Sequence, residues 1–389
     1  MPLDNTTDEY EEIKTSFAAA KVELGNNDWT LTPRVYWRKN ADDYFFVRNQ
    51  AVFNSTTSDV LGGELNFSTQ SALGMTGLGV NIQDTKFKSS RLGDRKRTQW
   101  SIFGEHRFTF LAGKIDLTPG FMFTTYSDFG NGFFPGIDLG VKITEGLKGY
   151  ASWGRTLRIP TYTDLYFSNG GNLPNPDLKP EFAQNFEAGL KYGKNGLRLS
   201  AAAFVREGSD IIDRTKTVAT ERWFPTNVSD LRLFGVEFSA DVAPRLVLGL
   251  DDFFPIKKLN FGATYLPKID YKTPSDRQLS RYAADQLRWQ INFSTDFEVA
   301  KKFIPTLNVR YFERFTLPKG FDSAYKGFLT DVRLAWAEKN WRVFGQVNNL
   351  FNKKYTESNG ITMPRRWFSV GLRRRFNLFI DVKRAQSLA

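Results

Sequence analysis

The sequence predicts an all-β protein, an antiparallel transmembrane β-barrel. Three observations point there. Apolar and polar residues alternate with a period of two along most of the chain. The alternating segments run to about 10–13 residues, longer than the usual strand of about 5–6. Aromatic residues (Trp29, Trp37, Trp100, Tyr126, Trp153, Tyr192, Trp341, Trp367) sit near segment ends, as girdles at two membrane interfaces require.

The alternation is explicit in four places. In 285–297, Leu287, Trp289, Ile291 and Phe293 oppose Arg288, Gln290, Asn292 and Ser294. In 257–267, Leu259, Phe261, Ala263 and Tyr265 oppose Lys258, Asn260, Gly262 and Thr264. Trp100, Ile102, His106, Phe108 and Phe110 oppose Gln99, Ser101, Glu105, Arg107 and Thr109. Phe328, Val332, Leu334 and Trp336 oppose Asp331, Arg333 and Ala335. Successive strand side chains point to opposite faces, so each segment has one apolar and one wet face. A soluble sandwich with its polar side out shares this alternation; segment length and the girdles weigh against it.

Composition narrows the chemistry. The 389 residues include no cysteine and one histidine, which excludes disulfide scaffolds, thiol nucleophiles and multi-histidine metal sites, and no resident cofactor is expected. Phe, Tyr and Trp make up 15% of a chain that is only 41% hydrophobic, so rings face something apolar while their neighbours face water. Fifty-three Lys and Arg against 42 Asp and Glu leave a net charge of +11. No run of about 18 apolar residues offers a transmembrane helix, a test to which barrel strands are invisible. Met1-Pro2-Leu3-Asp4 opens a polar, acidic stretch to Glu12 without signal-peptide character.

The expected strands are 17–25, 29–38, 58–70, 73–83, 98–110, 114–126, 133–143, 147–156, 181–192, 196–207, 231–243, 257–267, 284–297, 304–313, 327–338, 341–350 and 365–376. Short gaps such as Gly25-Asn26-Asn27-Asp28, Ser71-Ala72, Gly193-Lys194-Asn195 and Lys339-Asn340 have tight-turn compositions. Long gaps (39–57, 84–97, 157–180, 208–230, 268–283, 314–326, 351–364) alternate with them, as long outside loops alternate with short periplasmic turns. The gap 244–256 is long where a short turn is expected. About seventeen strands is an odd number, and bacterial barrels are even. Both first and last strand then run inward, which places 1–16 outside as a loop remnant. Five further N-terminal strands restore twenty-two, the size of large outer-membrane transporters.

Residues 150–192 read GYASWGRTLRIPTYTDLYFSNGGNLPNPDLKPEFAQNFEAGLKY, and 347–376 read VNNLFNKKYTESNGITMPRRWFSVGLRRRF. Both resemble the C-terminal barrel half of TonB-dependent outer-membrane receptors. Arg158 and Pro160 stand in the "FR-x-P" position, Asn175 to Glu181 in the "NP-x-LKPE" position, and Asn348 to Tyr355 precede the closing strand. The resemblance runs from about residue 17 to 376. Thr32-Pro33-Arg34-Val35-Tyr36-Trp37-Arg38 and Met363-Pro364-Arg365-Arg366-Trp367-Phe368 look most like the cobalamin-receptor branch of Bacteroidota. Read physically, Pro160 ends a strand because it cannot donate to a ladder. Pro174, Pro176 and Pro180 keep the next loop extended.

The resemblance implies uptake of a large scarce nutrient, a cobalamin, ferric siderophore or similar chelate, powered through the inner-membrane TonB complex. It implies no bond chemistry, so no enzyme. The partial barrel occupies 17–376, with the plug domain and TonB box absent and a C-terminal extension at 377–389. Outer-membrane lipid, lipopolysaccharide and a surface lipoprotein are the other expected partners; nucleic acid is not. Residues expected to bind a corrin or catecholate chelate, rings with their charged neighbours, are Tyr44, Phe45 and Phe46 in the first long loop, then Tyr126, Asp128, Phe129, Tyr162, Asp164, Tyr166, Arg222 and Trp223. The competing reading has these rings pack loops together or form the interface belt. Arg198, Arg206, Arg288, Arg333 and Arg342 are expected on the wet face. Arg95-Lys96-Arg97 reads as a solvated loop that meets lipopolysaccharide. His106, on the parity of Trp100, offers no triad at a rim. A passive porin-like or adhesin barrel is the alternative function.

Overall fold

Strand pairing, more than any core, organises this chain. The computed structural model describes residues 9–46, 53–218, 220–251, 253–272, 279–281, 286–299, 302–315, 326–357 and 362–374. Nineteen strands and two five-residue helices occur among them, and two of the strands are only two residues long. The remaining seventeen agree in number with the expected segments.

The contacts divide the chain into two units. The first comprises 1–190, 202–236 and 267–284, the second 191–201, 237–266 and 285–389. In the first, β1 (Tyr10–Lys21) and β2 (Leu24–Gly25) both pair with β3 (Trp29–Phe45). An antiparallel meander continues through β4 (Asn54–Ser71), β5 (Gly74–Ser89), β6 (Arg95–Phe110), β7 (Ile115–Tyr126), β8 (Gly130–Thr144) and β9 (Leu147–Arg158). Helix α1 (Tyr162–Tyr166) then precedes β10 (Glu181–Lys194), β11 (Leu197–Lys216) and β12 (Phe224–Val242). Helix α2 (Pro244–Leu248), β13 (Ile256–Lys272) and β14 (Leu279–Ser280) follow, with β14 paired to the end of β11. In the second unit, β13 pairs with β15 (Leu287–Phe297), and β16 (Phe303–Arg314), β17 (Lys326–Glu338), β18 (Trp341–Asn348) and β19 (Trp367–Arg374) extend the meander.

Register shows which side chains share a face. Phe67, Leu65 and Gly63 pair with Leu78, Val80 and Ile82, which pair with Gly104, Ile102 and Trp100. The same rows continue to Phe121 and Phe123, then to Pro135 and Phe133. In the second unit Phe293 lies opposite Phe261 and Val309, and Trp336 opposite Phe303 and Val343. Within each unit these residues form an apolar face, and many stay exposed: Leu61, Ile82 and Phe133 in the first and Leu334 in the second each leave more than half their surface accessible. Only a solvent of acyl chains makes such a face favourable. The apolar run on β6 from Phe110 to Trp100 spans ten residues, about 33 Å of strand at about 3.3 Å each. At a tilt of about 40° that is about 25 Å of height, the thickness of an outer-membrane apolar band.

Strands run on past that band, which corrects several sequence-based boundaries. β1 begins at Tyr10, so residues 10–16 pair with β3 and do not form a free outside segment. The expected loop 39–57 is largely ladder, as β3 reaches Phe45 and β4 starts at Asn54. The expected loop 84–97 shrinks to 90–94. Apolar alternation stops at the membrane edge, whereas the hydrogen-bond ladder does not need it. Trp37, Trp100 and Trp153 therefore lie inside strands, each the last ring on the apolar face before Lys39, Thr98 and Arg155. The extension expected at 377–389 and most of the expected loop 314–326 lie outside the described residues.

The opposite face is polar and paired. Arg107 and Lys148 both reach Asp116, at 2.9 and 3.3 Å, and Arg34 reaches Glu64 at 3.5 Å. Of the arginines assigned to this face, Arg288 meets Glu313 at 3.5 Å, Arg206 donates to Asn185 at 2.7 Å and Arg198 meets Asp241 at 3.3 Å. Arg333 stacks on Phe344 at 3.9 Å and has no ion pair among the described residues. His106 lies opposite Thr76 on the apolar face, with its Nδ1 2.8 Å from the Thr76 hydroxyl and its ring 4.1 Å from Phe108.

Rings on the polar face cover glycines. A Cβ at Gly62 meets the Tyr36 ring at 2.2 Å, and one at Gly79 meets the Phe103 ring at 2.1 Å. Each aromatic stands directly opposite its glycine, which restores packing where no side chain exists. Gly79→Val is expected to destabilise by about 1–3 kcal/mol through overpacking. Gly63→Val on the other face, where the nearest atom is 3.8 Å away, should be close to neutral. Denaturant unfolding in lipid vesicles compares the two.

The long gap at 244–256 is a folded turn. Pro244 opens α2, Gly249 closes it in the left-handed conformation at φ 64°, and Ala243 N donates to Gly196 O at 2.8 Å. Arg245 donates to Phe254 O and approaches Glu298, which Lys257 also meets at 3.0 Å. Lys257, then Arg245, hold the Glu298 carboxyl below the usual glutamate range. A depressed acid stabilises above its ordinary range and loses that contribution as pH falls through its folded value. Exchange protection of the Leu246 and Leu250 amides should therefore drop on acidification, and Glu298→Gln should flatten that dependence.

Candidate ligand-binding surface

The motif around Pro160 to Glu181 acts as a fastener. Strand β9 ends at Arg158, just before Pro160, and β10 starts at Glu181 as the proline spacing implies. Arg158 pairs with Glu181, whose second oxygen accepts from Ile212 N at 2.8 Å. Asn175 donates to Pro225 O at 2.9 Å, and Lys179 N donates to Asn227 Oδ1 at 2.9 Å. Asn227 in turn donates to Asp210 O. The loop is thereby stitched to β11 and β12. The second motif works similarly: β18 ends at Asn348, and Asn349, at φ 49°, bonds Asp331 through its N–H and Lys353 through its side chain.

These fastenings lay α1 across the polar face of β5, β6 and β7. Thr161 caps the helix, accepting from Asp164 N at 3.1 Å. Leu165 is buried with Leu178 and Ile212, and Phe129, Tyr162 and Tyr166 pack around them. The Tyr162 ring rests 5.1 Å from Phe87 and 6.3 Å from Tyr166. Its hydroxyl is buried without a hydrogen-bond partner among the described residues, and burial pushes its pKa up. Behind the helix, Arg214 donates to Asp164 at 3.0 Å and to Asn172 at 3.0 Å; both charges are almost wholly buried.

Arginines and rings interleave along this surface. Arg97 grips Asp128 with Nε at 2.8 and 3.0 Å and lies over Tyr162 and Phe129. Arg95 lies 3.7 Å over Tyr166, and Arg91 lies 3.6 Å over Phe53. Arg95 and Arg97 belong to β6, so the expected solvated basic loop is instead a strand end covered by rings. Arg91, Arg95 and Arg222 donate to the carbonyls of Phe53, Leu92 and Asn169, and none forms an ion pair among the described residues. A cavity of about 440 Å³ opens among Phe53, Ser90, Arg91, Tyr166 and Ser168.

The sequence-predicted residues fall into two groups. Tyr126 ends β7, Asp128 holds the Arg97 that lies over Tyr162, Phe129 packs against the buried Leu165 cluster, and Tyr162, Asp164 and Tyr166 lie on α1. Arg222 and Trp223 join its following loop, where Trp223 N donates to Gly171 O at 2.9 Å. Asp128 and Asp164 are committed to Arg97 and Arg214, which makes them supports of the loop layer. Tyr44 and Phe45 belong to β3 and not to a loop, a correction with the physical cause given above. Tyr44 and Phe46 meet Phe53 at 5.9 and 5.8 Å, whereas Phe45 meets Tyr10. Phe53 and Tyr166 both line the cavity and so connect the two groups. Sequence reasoning missed Phe53, Arg91 and Arg214, and gave Arg95 and Arg97 a place in a solvated loop instead. Only the interleaving of basic and aromatic residues carried any signal for them.

Comparison with known proteins agrees with this architecture. The family described as TonB dependent receptor-like, beta-barrel matches residues 2–350. The chain is 27% identical over 225 residues to the vitamin B12 transporter BtuB of Photobacterium profundum, covering 55% of this chain and 33% of that protein. It is 29% identical over 257 residues to the iron-regulated outer membrane virulence protein of Vibrio cholerae, covering 60% and 38%. Among solved structures, the ferric enterobactin receptor PfeA of Pseudomonas aeruginosa superposes with a TM-score of 0.74 at 16% identity, over 94% of this chain and 62% of that one. The copper transporter OprC superposes with a TM-score of 0.73 at 16% identity, over 95% and 67%. The match spans about a third of the length of the curated relatives. The relatives are outer-membrane proteins of Gram-negative bacteria. With its family match covering most of its length, this chain belongs to the TonB dependent receptor-like β-barrel family.

Proposed function

We propose that this chain supplies barrel wall and binding loops of a TonB-dependent outer-membrane transporter for a large scarce nutrient, a cobalamin or a ferric siderophore. The observation that carries this reading is the loop layer on the polar face, where Arg91, Phe53 and Tyr166 border one cavity and Arg95 and Arg97 lie over neighbouring rings. Rings stack on a corrin or an aryl chelate, and guanidinium groups bind its carboxylate, phosphate or phenolate oxygens. The protein makes and breaks no bond; it binds, and the inner-membrane TonB complex supplies the work. A cobalamin receptor of the Bacteroidota branch, with a lipoprotein above the loops, is the finer form of the same proposal. It rests on Thr32 to Arg38 and Met363 to Phe368.

Disrupting the gene in its own host and measuring uptake of radiolabelled cyanocobalamin and of a radio-iron tris-catecholate tests it. Loss of one uptake, matched by loss on disrupting TonB, is expected. Uptake that persists without TonB supports the passive porin-like alternative; no change in either removes the transporter reading.

A further inference from the structure

The end of the strands that carries the short turns also carries one long connection. In the second unit, β17 and β18 are joined by Lys339 and Asn340 alone, whereas residues 243–255 join β12 to β13. Short turns of such barrels are the periplasmic ones, so the long connection lies on the periplasmic side. Its apolar side chains stay uncovered: Leu246 is 69% exposed, Leu248 66% and Phe253 91%. Yet the connection is ordered. Leu250 N donates to Arg245 O at 2.9 Å, Phe253 N to Asp251 Oδ1 at 3.0 Å, and Glu298 N to Pro255 O at 2.8 Å. Water does not favour three large apolar side chains held out on a fixed frame. Polar turn residues such as Lys339 and Asn340 are what water favours.

Register gives the depth of this connection. On the apolar face of β13 and β15, Tyr265 stacks on Trp289 at 4.0 Å. Below that pair lie Ala263 with Ile291, Phe261 with Phe293, and Ile256 with Phe297. Tyr and Trp mark a membrane interface. From Tyr265 to Ile256 the chain takes nine steps, about 30 Å of strand and about 23 Å of height at a tilt of about 40°. An apolar band is about 25 Å tall, so Ile256 stands at the opposite interface. Strand β12 joins the same face, where Phe238 meets Phe261 at 6.0 Å, and its apolar row runs through Val242 to the connection. Leu246, Leu248 and Phe253 therefore continue a membrane-facing surface at headgroup level, without a polar break between.

We infer that this connection is an interfacial foot, whose Leu246, Leu248 and Phe253 enter the periplasmic leaflet of the outer membrane at the boundary of glycerophospholipid headgroups and acyl chains. A segment that in these barrels normally stays in water is thereby placed in the membrane, and it pins the height of the hairpin in the bilayer. The foot is independent of what the protein imports.

The chain has no cysteine, so single nitroxide labels report only the position chosen. Phe253→Cys, Leu248→Cys and, at the polar turn, Asn340→Cys are labelled in the full chain and reconstituted in vesicles of phosphatidylethanolamine and phosphatidylglycerol. Electron paramagnetic resonance then compares collisions with oxygen, which concentrates in bilayers, and with nickel-EDDA, which stays in water. Oxygen collisions should exceed nickel collisions at 253 and 248, and the order should reverse at 340. All three positions are exposed, so labelling should leave assembly intact; should one of the first two fail to assemble, the other decides. Nickel dominating at either 253 or 248 overturns the inference. So does a label reached by neither reagent, which would mean that protein covers the turn. Oxygen dominating at 340 as well overturns it too, because the long connection would then be no different from an ordinary turn. None of these readings involves uptake, so failure here leaves the transporter reading standing.

Discussion

Arg214→Ala is expected to release the loop layer from the strands beneath it. The side chain is 6% exposed and its partner Asp164 13%, so the pair is shielded from screening by water. Removing one member of such a pair strands a buried charge and costs about 3–5 kcal/mol. Asn172 loses its donor in the same step. The damage should be local, because the fastenings at Asn175, Lys179 and Asn227 and the ladders of β9 and β11 remain. Hydrogen exchange reads it directly. The amides of Leu165 and Phe167, which donate to Thr161 and Thr163, should lose at least about two orders of magnitude of protection. Asp164→Asn, which keeps an acceptor for Arg214, should lose less. Equal protection in Arg214→Ala and wild type would show that the hydrophobic contacts of Leu165 alone hold the layer. Ligand affinity should fall with the protection, since Tyr162 and Tyr166 ride on the same helix.

Ile102→Arg is the second large effect. Ile102 lies near the middle of β6, between Val80 on one neighbour and Phe123 on the other, with 43% of its surface exposed. In water an exposed isoleucine tolerates arginine. At a bilayer midplane the same change costs about 2–4 kcal/mol. Asn81→Arg on the opposite face, beside Glu64, should stay within about 0.5 kcal/mol of wild type. Urea unfolding midpoints in vesicles separate the two. A neutral Ile102→Arg would mean that the apolar face meets something other than acyl chains, and the transporter reading would lose its footing.

Much of this protein is legible from period and punctuation. Alternation around Trp100, Trp289 and Phe328 assigns the faces correctly, because a period of two maps directly onto a pleated strand. Pro160 and Glu181 mark real strand limits, because a missing N–H is a local property. Strand ends expected at 38 and 83 fall short of Phe45 and Ser89, because ladders extend into water on polar residues that carry no hydrophobic signal. The loop 244–256 was unreadable as a turn, since its order depends on contacts with Gly196 and Glu298 that lie far away in sequence.

By itself, the order of residues determined that the chain is a meander of long strands with one greasy face and one wet face, and which family it belongs to. Only the tertiary structure decided that Arg91 and Arg95 stand over Phe53 and Tyr166, and that Arg214 holds Asp164. The reason is physical. Strand character is set by neighbours two residues apart, whereas a site is set by side chains that folding brings together from distant positions, 38 residues apart for Arg91 and Phe53 and 50 for Arg214 and Asp164, and alternation is blind to such distances.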